Sequence, residues 1–361
     1  MKILFVTNIP APYKVIFLSE LAKKVNLTVI YERESASDRD ESWKNRQNKK
    51  NFEEIYLRGK NIGNEASFSI EIIHFLKKKK YDYVIMNGFS SPTAIIAITY
   101  MKFFKIKYVI MCDGMLPGAT NRLKVELKKF LISNASFCFG SNKITKNELE
   151  KYGAKEKNIF WYPFSSISDA TFLEEKTNLL IKDKTTEKIV LYVGQFIHRK
   201  GLDILIEAFE KIIESNDERV KLLLIGGEVL PFQVPNSVKN MIEIKGFKKK
   251  EELSEYYRMA DVFVLPTRED IWGLVINEAM GFGVPVVTTD RCGAGLEMVE
   301  NKKNGFVVVT GDSESLAKSI KEVLNNSEEM KLAALETGKK YTIEKMSQRI
   351  YDVLNSHQIE G

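Results

Sequence analysis

Two doubly wound α/β domains, each built on a parallel sheet, are what this 361-residue sequence predicts. Three observations carry the expectation. Short continuous apolar runs alternate with segments of helical spacing, the pattern of right-handed βαβ units. The alternation breaks at a polar, Lys/Glu-rich stretch and then restarts. The length also exceeds the roughly 250 residues at which a single core stops growing. The predicted layout is a first domain over 1–164, a connection over 165–187, a second domain over 188–340 and a C-terminal helix over 341–361 packing back toward the first domain.

Element by element, KILFVT (2–7) and LTVIYE (27–32) read as buried strands flanking a helix from Tyr13 to Lys24. YDYVIMNG and KYVIMCDG repeat the strand signature, each ending in a loop with Gly. Asn121 to Ile132 is an amphipathic helix, SFCFGSN a short strand, and Lys143 to Tyr152 a helix stopped by Gly153. The second half restarts with strand IVLYVGQ and a helix from Leu202 to Glu214, whose Leu202, Leu205, Ile206, Phe209 and Ile213 share one face. KLLLIGGE and IEIKGF follow as strands, then a helix from Lys250 to Met259, strand ADVFVLPT and a helix from Leu274 to Phe282. GVPVVTTD and GFVVV are strands, and Ser313 to Asn325 closes the series as a helix.

Composition narrows the function. With 44% hydrophobic and 28% charged residues, 9 Pro and 21 Gly, the chain is neither fibrous nor disordered. Apolar stretches such as Ala94 to Tyr100 fall short of the roughly 20 residues a membrane span needs. The N-terminal run lacks a signal-peptide cleavage pattern and reads as a strand. Cys112, Cys138 and Cys292 form no CxxC pair, and His74, His198 and His357 are too scattered for a multi-His metal site. A cytoplasmic setting is expected. Residues 1–163 hold 28 Lys+Arg against 16 Asp+Glu, a charge of +12; the remainder holds 54 − 28 = 26 against 48 − 16 = 32, a charge of −6. A basic half suits nucleic acid, an anionic membrane or an acidic substrate.

Ligands of open parallel sheets bind beyond the carboxyl ends of the strands, so chemistry is sought in the loops there. One such loop carries His198, Arg199 and Lys200 before Gly201 opens a helix. Unpaired N–H groups at a helix N-terminus and two cations suit a diphosphate; the plainer alternative is a solvated basic turn. Another, PTREDIWGLVINEAMGFGVPVV (266–287), places Asp270 after a strand and Glu278 eight positions on, in the next helix. Such carboxylates accept hydrogen bonds from vicinal hydroxyls, unless Glu278 is merely exposed and Asp270 a cap. Gly273 and Gly281 permit close backbone approach.

These motifs, in this order, resemble glycosyltransferase family 4, retaining nucleotide-sugar-dependent enzymes of the GT-B fold, along essentially the whole chain. VGQFIHRKGLDILIEAF, LLLIGGE, IEIKGF, YYRMADVFVLPT, DIWGLVINE and CGAGLEMVENKKNGFVVV carry the likeness. The resemblance implies two Rossmann-like domains with a cleft between them and a donor site of Gly194, Gln195, Lys200, Gly246, Phe247, Lys248, Asp270, Gly273, Leu274 and Glu278. In it Glu278 holds the ribose, Asp270 the donor sugar, Lys200 the diphosphate, and the backbone at Phe247 and Lys248 the base, commonly uracil. The loop at Gly293, Ala294, Gly295 and Glu297 would border the sugar. Arg199, Lys200, Asp270, Glu278 and Asp113 are the implied catalytic set.

Departures from the family pattern are specific. Gln195 stands where an Arg is usual, with Arg199 as candidate replacement. The first motif carboxylate is Asp270 rather than Glu. The N-terminal Gly-Gly loop is replaced by Asn8 to Tyr13, and the HD pair by Cys112-Asp113-Gly114. Asn8, Pro12, Tyr13 and Asp113 are the candidate acceptor side; Asp113 equally suits a turn.

The implied reaction moves a sugar, with retention, from a nucleotide-sugar (UDP-linked above all) to a hydroxyl of a glycan or lipid-linked saccharide in cell-surface polysaccharide biosynthesis. No metal or other cofactor is expected. Between Ile70 and Lys157, 16 basic residues face 7 acidic ones, including Lys77 to Lys80, Lys102, Lys105 and Lys107 beside Phe103 and Phe104, and Lys124, Lys128 and Lys129. This suits a peripheral membrane contact, or simple solvation. Nucleic acid is not expected as a partner, since no recognised motif accompanies the charge. The alternatives are a GT-B epimerase, a phosphorylase-like enzyme, or a non-catalytic nucleotide-sugar-binding subunit.

Overall fold

The computed structural model describes residues 1–35, 50–62, 66–78, 81–118, 121–172, 187–215 and 220–359. The chain divides into two compact units, Met1–Phe164 with Ile343–Gly361, and Ser165–Thr342.

The first unit is built on a seven-stranded parallel sheet of order β3-β2-β1-β6-β7-β8-β9. Its strands are β1 (Lys2–Thr7), β2 (Asn26–Tyr31), β3 (Glu53–Tyr56), β6 (Tyr83–Asn87), β7 (Tyr108–Cys112), β8 (Phe137–Gly140) and β9 (Ile159–Trp161). A separate antiparallel pair joins β4 (Lys60–Ile62) to β5 (Ala66–Phe68). The central strands are apolar on both faces because helices cover both faces of a parallel sheet; β7 is buried throughout. Helix Pro12–Leu21 starts with Pro at its first position, where a missing N–H costs nothing. Side chains of Ser91, Asn121 and Asn142 accept backbone N–H bonds at the starts of helices Pro92–Phe103, Arg122–Ile132 and Lys143–Lys151. The C-terminal helix Ile343–Ile359 lies against Pro12–Leu21, and Leu354 O accepts from Tyr83 Oη at 3.2 Å.

The second unit carries a six-stranded parallel sheet of order β12-β11-β10-β13-β14-β15. These are β10 (Lys188–Val193), β11 (Val220–Ile225), β12 (Ile242–Lys245), β13 (Val262–Leu265), β14 (Val286–Thr289) and β15 (Gly305–Val308). In the unit's own chain order this is the dinucleotide-fold arrangement, winding outward from β10 in both directions. Helices Leu202–Glu214 and Ser313–Asn325 pack together on it through strongly apolar faces.

The expected connection differs in part. Residues 173–186 lie outside the described residues, but Ser165 to Phe172 belong to the second unit. Ile167 and Phe172 are buried with Leu335, and Ser165 Oγ donates to Tyr341 O at 2.7 Å. Two apolar side chains spaced five apart suffice to anchor this polar stretch. The basic run from Lys77 to Lys80 also falls partly outside, at residues 79 and 80.

Candidate functional site

A doubly wound sheet opens a crevice at the carboxyl ends of its strands where the winding reverses. In the second unit that point lies between β10 and β13, which are paired neighbours. The loop after β10 forms a short turn, His198–Lys200, and reaches Gly201 at φ 71°. A Cβ at Gly201 would sit 2.0 Å from Pro266 O, so only glycine lets this loop pass the end of β13. Helix Leu202–Glu214 begins at once, its first N–H groups at the crevice.

The two loops are stitched together. Arg199 O accepts from Arg268 N at 2.8 Å and Thr267 Oγ1 at 3.0 Å, and Arg199 Nη1 donates to Glu269 O at 2.6 Å. Arg268 also clamps Asp203 with its two terminal guanidinium nitrogens, at 2.8 and 2.6 Å. At the centre Lys200 Nζ meets Asp270 Oδ2 at 2.5 Å, with the two side chains only 13% and 14% exposed. A third loop fixes Asp270 from behind: Asp270 N donates to Arg291 O and Gly293 N to Asp270 O. Burial first, and then the Asp270 charge, pushes the neighbouring Cys292 thiol up to about 12. It stays neutral and donates to Trp272 O at 3.1 Å. Gly273, at φ 96°, is confined by the same sulfur, 2.8 Å from where its Cβ would be.

Glu278 lies in helix Leu274–Gly281. Tyr257 Oη donates to its Oε2 at 3.0 Å and Ser166 Oγ to its Oε1 at 2.9 Å. Tyr257 stacks on Phe282 at 5.4 Å, and burial followed by the Glu278 charge holds its phenol well above the ordinary range. A carboxylate offers about four lone-pair positions, so two donors fix its orientation and leave acceptor capacity.

The structure thus brings Gly194, Gln195, Arg199, Lys200, Asp270 and Gly273 to one switch point, with Leu274 and Glu278 on the helix that leaves it. Gln195 contributes its carbonyl, which accepts from Tyr192 Oη at 2.9 Å. Gly246 follows β12 and lies beside Glu228 of the β11 loop. Phe247 is 54% exposed, and Lys248 pairs with Glu252 at 3.3 Å. One expectation is corrected: Gly293, Ala294, Gly295 and Glu297 are not a loop but belong to a short helix, Gly293–Met298. Ala294 N donates to Trp272 O at 2.7 Å, and Gly295 lies so close to Thr288 that a Cβ would approach to 2.4 Å. Glycine here serves close packing of that helix on β14. Sequence reasoning missed Arg268, Asp203, Tyr257 and Ser166; each reaches its partner across 21 or more residues, beyond any local spacing signal.

The first unit has its own switch point, between β1 and β6. Thr7 Oγ1 donates to Asn87 Oδ1 at 3.0 Å, and Asn87 Nδ2 to Asp113 Oδ1 at 2.9 Å. Tyr162 Oη donates to the same Asp113 oxygen at 2.9 Å. Lys14 Nζ donates to Thr7 Oγ1 at 3.0 Å and Asn8 Oδ1 at 3.3 Å, and stands 3.7 Å from Asp113 Oδ2. Asn8 and Asp113 therefore share one polar cluster. Pro12 opens the helix that carries Lys14, and Tyr13 packs edge-on against Phe164 at 5.7 Å. Cys112 is buried, its thiol pushed up to about 12, chiefly by burial. Lys14, Asn87 and Tyr162 were not singled out in the sequence, and no motif marks them.

The Arg268–Asp203 clamp yields a direct test. The guanidinium hydrogen bonds hold the Asp203 carboxyl below its ordinary range, near 3.9 for a free Asp. A depressed folded value means the clamp's contribution is present above that range and is lost as pH falls through the folded value. Carbon-detected NMR titration will show Asp203 titrating below the ordinary range in the unaltered chain and returning toward it in Arg268→Gln.

Comparison with known proteins bears on the family and the fold. The family model "Glycosyl transferases group 1" matches residues 175–341. The chain is 32% identical over 217 residues to the capsular polysaccharide biosynthesis glycosyltransferase CapM of Staphylococcus aureus, covering 55% of this chain and 54% of CapM. The match thus spans about half of that relative's length. Among solved structures, sucrose-phosphate synthase from Thermosynechococcus elongatus is similar over 100% of both chains, with TM-score 0.75 at 16% identity. HepE from Anabaena, solved in complex with UDP, is similar over 99% of this chain and 100% of its own, with TM-score 0.73 at 18% identity. Those likenesses establish the GT-B fold of two Rossmann-like domains. The stretch that matches the group 1 glycosyl transferase model, residues 175–341, includes the Lys200, Asp270 and Glu278 site.

Proposed function

We propose that this chain is a retaining glycosyltransferase of the family 4 type. It moves a sugar from a UDP-sugar to a hydroxyl of a glycan or lipid-linked saccharide in cell-surface polysaccharide biosynthesis. The observation that carries the reading is the Lys200–Asp270 pair, largely buried at a sheet switch point beside a helix N-terminus. UDP in HepE and capsular polysaccharide in CapM's name support the donor and acceptor classes.

In this mechanism the diphosphate lies on Lys200, Arg199 and the first N–H groups of helix Leu202–Glu214. Its negative charge grows as the bond to the anomeric carbon breaks, so these groups hold the transition state more tightly than the ground state. Asp270 keeps Lys200 paired before the donor arrives and accepts from a sugar hydroxyl afterwards. Glu278 takes the ribose hydroxyls, and the backbone at Gly246 to Lys248 reads the base. Asp113 of the first unit accepts a hydrogen bond from the acceptor hydroxyl, whose proton leaves on the departing diphosphate.

A donor panel of UDP-, GDP- and ADP-sugars, read by turnover and thermal shift, tests the assignment. UDP-sugars should give both signals. Lys200→Ala should lower kcat by about 100-fold or more. Glu278→Gln should raise the donor KM with little change in kcat, since a ribose contact is equal in ground and transition states. No response to any nucleotide-sugar would contradict the proposal.

We further propose peripheral contact with an anionic membrane. Leu123, Leu127 and Phe130 fall at helical spacing on Arg122–Ile132 and are all exposed, Leu123 by 81%. Lys102 stands 3.7 Å over the Phe130 ring and links this row to Phe103 and Phe104, 81% and 54% exposed. An apolar row amid Lys124, Lys128 and Lys129 suits insertion beneath anionic headgroups. Vesicles containing phosphatidylglycerol should bind the chain at low salt, and less when Phe103 and Leu123 are changed to Ser. Equal binding to neutral vesicles, or none, would refute this.

A further inference from the structure

We infer that Lys14 is a positioning residue for the acceptor hydroxyl, acting through Asp113; this rests on the glycosyltransferase reading above. Lys14 is 8% exposed on helix Pro12–Leu21. Burying an ammonium costs several kcal/mol unless polar partners compensate it, and a Met would fill the same space without that cost. The partners present are Thr7, Asn8 and Asp113, all at the carboxyl edge of the sheet and at its switch point.

The geometry around Asp113 gives the lysine its task. Asp113 Oδ1 already accepts from Asn87 and Tyr162, both at 2.9 Å. Its Oδ2 faces Lys14 at 3.7 Å, an ion-pair distance too long for a direct hydrogen bond, and the side chain is 23% exposed. One oxygen is thus committed to the protein while the other is aimed and charge-balanced but able to accept from a ligand. Ser141 Oγ donates to Asp113 O at 2.8 Å and fixes the backbone as well. Next to Asp113's hydrogen-bonding partner Asn87, Gly88 has φ 100° and no atom within 4 Å of where a Cβ would stand, so the strand end borders open space. Glu32 is another acidic group within reach of the Lys14 charge. Its carboxylate is occupied by Ser91 Oγ at 2.6 Å and Ser67 Oγ at 3.3 Å. The Lys14–Asp113 pair is neutral in sum and suits an uncharged hydroxyl better than an acidic group. During transfer the acceptor oxygen bonds to the anomeric carbon, the bond to the diphosphate breaks, and the hydroxyl proton departs with the diphosphate. Lys14 and Asp113 keep their charges throughout.

Steady-state transfer with varied acceptor, and UDP affinity by calorimetry, test this on Lys14→Gln, Lys14→Arg, Asp113→Asn and the double variant Lys14→Gln/Asp113→Asn. Lys14→Gln should lower acceptor kcat/KM by about 100-fold, the scale of a misplaced reacting group, and Lys14→Arg should recover most of it. The double variant should be no worse than Asp113→Asn alone, because both changes act on one carboxylate. UDP affinity should stay within about twofold, since donor and acceptor contacts are assigned to different units. If Lys14→Gln does not fold, Tyr162→Phe releases the same carboxylate and should likewise add nothing to Asp113→Asn. Multiplying losses, or transfer by Lys14→Gln equal to the unaltered chain, would overturn the inference alone. Absence of transfer by the unaltered chain across the donor panel would overturn it together with the reading on which it rests.

Discussion

The ion pair between Lys200 and Asp270 ties together the two loops that leave the second sheet on either side of its winding reversal. Lys200 closes the turn after β10. Asp270 sits in the loop after β13, held by backbone bonds to the loop after β14. Two charges at 13% and 14% exposure persist there because each compensates the other's lost hydration. The Arg199 and Arg268 bonds brace the same seam from its solvent side, and the absence of a Cβ at Gly201 lets the seam close. A cation so fixed requires little rearrangement when negative charge develops beside it, which is the condition for electrostatic catalysis.

The first unit repeats the theme with different chemistry. Its switch point carries a carboxylate, Asp113, fixed by an amide, a phenol and an ammonium rather than by one cation. Where the family pattern has histidine, Cys112 is a buried thiol without nucleophilic character, pushed up to about 12. In the proposed reaction the work of orienting a hydroxyl then falls to Asp113 and the groups that hold it. Both switch points show one design: a carboxylate beyond a strand end, Asp270 or Asp113, held by residues distant in sequence.

Much of this was legible in the sequence, and the parts that were not share a cause. Helices Leu202–Glu214, Lys250–Met259 and Ser313–Asn325 have the bounds their spacing predicts, because each has one apolar face and one polar face. Helix Pro92–Phe103 escaped notice because PTAIIAITYMKF is apolar almost all round and carries no such contrast. Strand β3 escaped for the opposite reason: its EEIY is partly polar and half-buried at a sheet edge. Asp270 and Glu278 were readable from their fixed separation along one loop and helix. Tyr257 and Ser166, which orient Glu278, come from 21 and 112 residues away and are placed only by the tertiary fold. The same holds for Lys14, the single lysine of the mostly apolar helix Pro12–Leu21.

A crystal structure with bound UDP tests the central claim most directly. The account predicts diphosphate oxygens within hydrogen-bond reach of Lys200 Nζ and of the first N–H groups of helix Leu202–Glu214, with the ribose on Glu278. UDP seated elsewhere on the chain, with its diphosphate touching neither Lys200 nor that helix terminus, would contradict it.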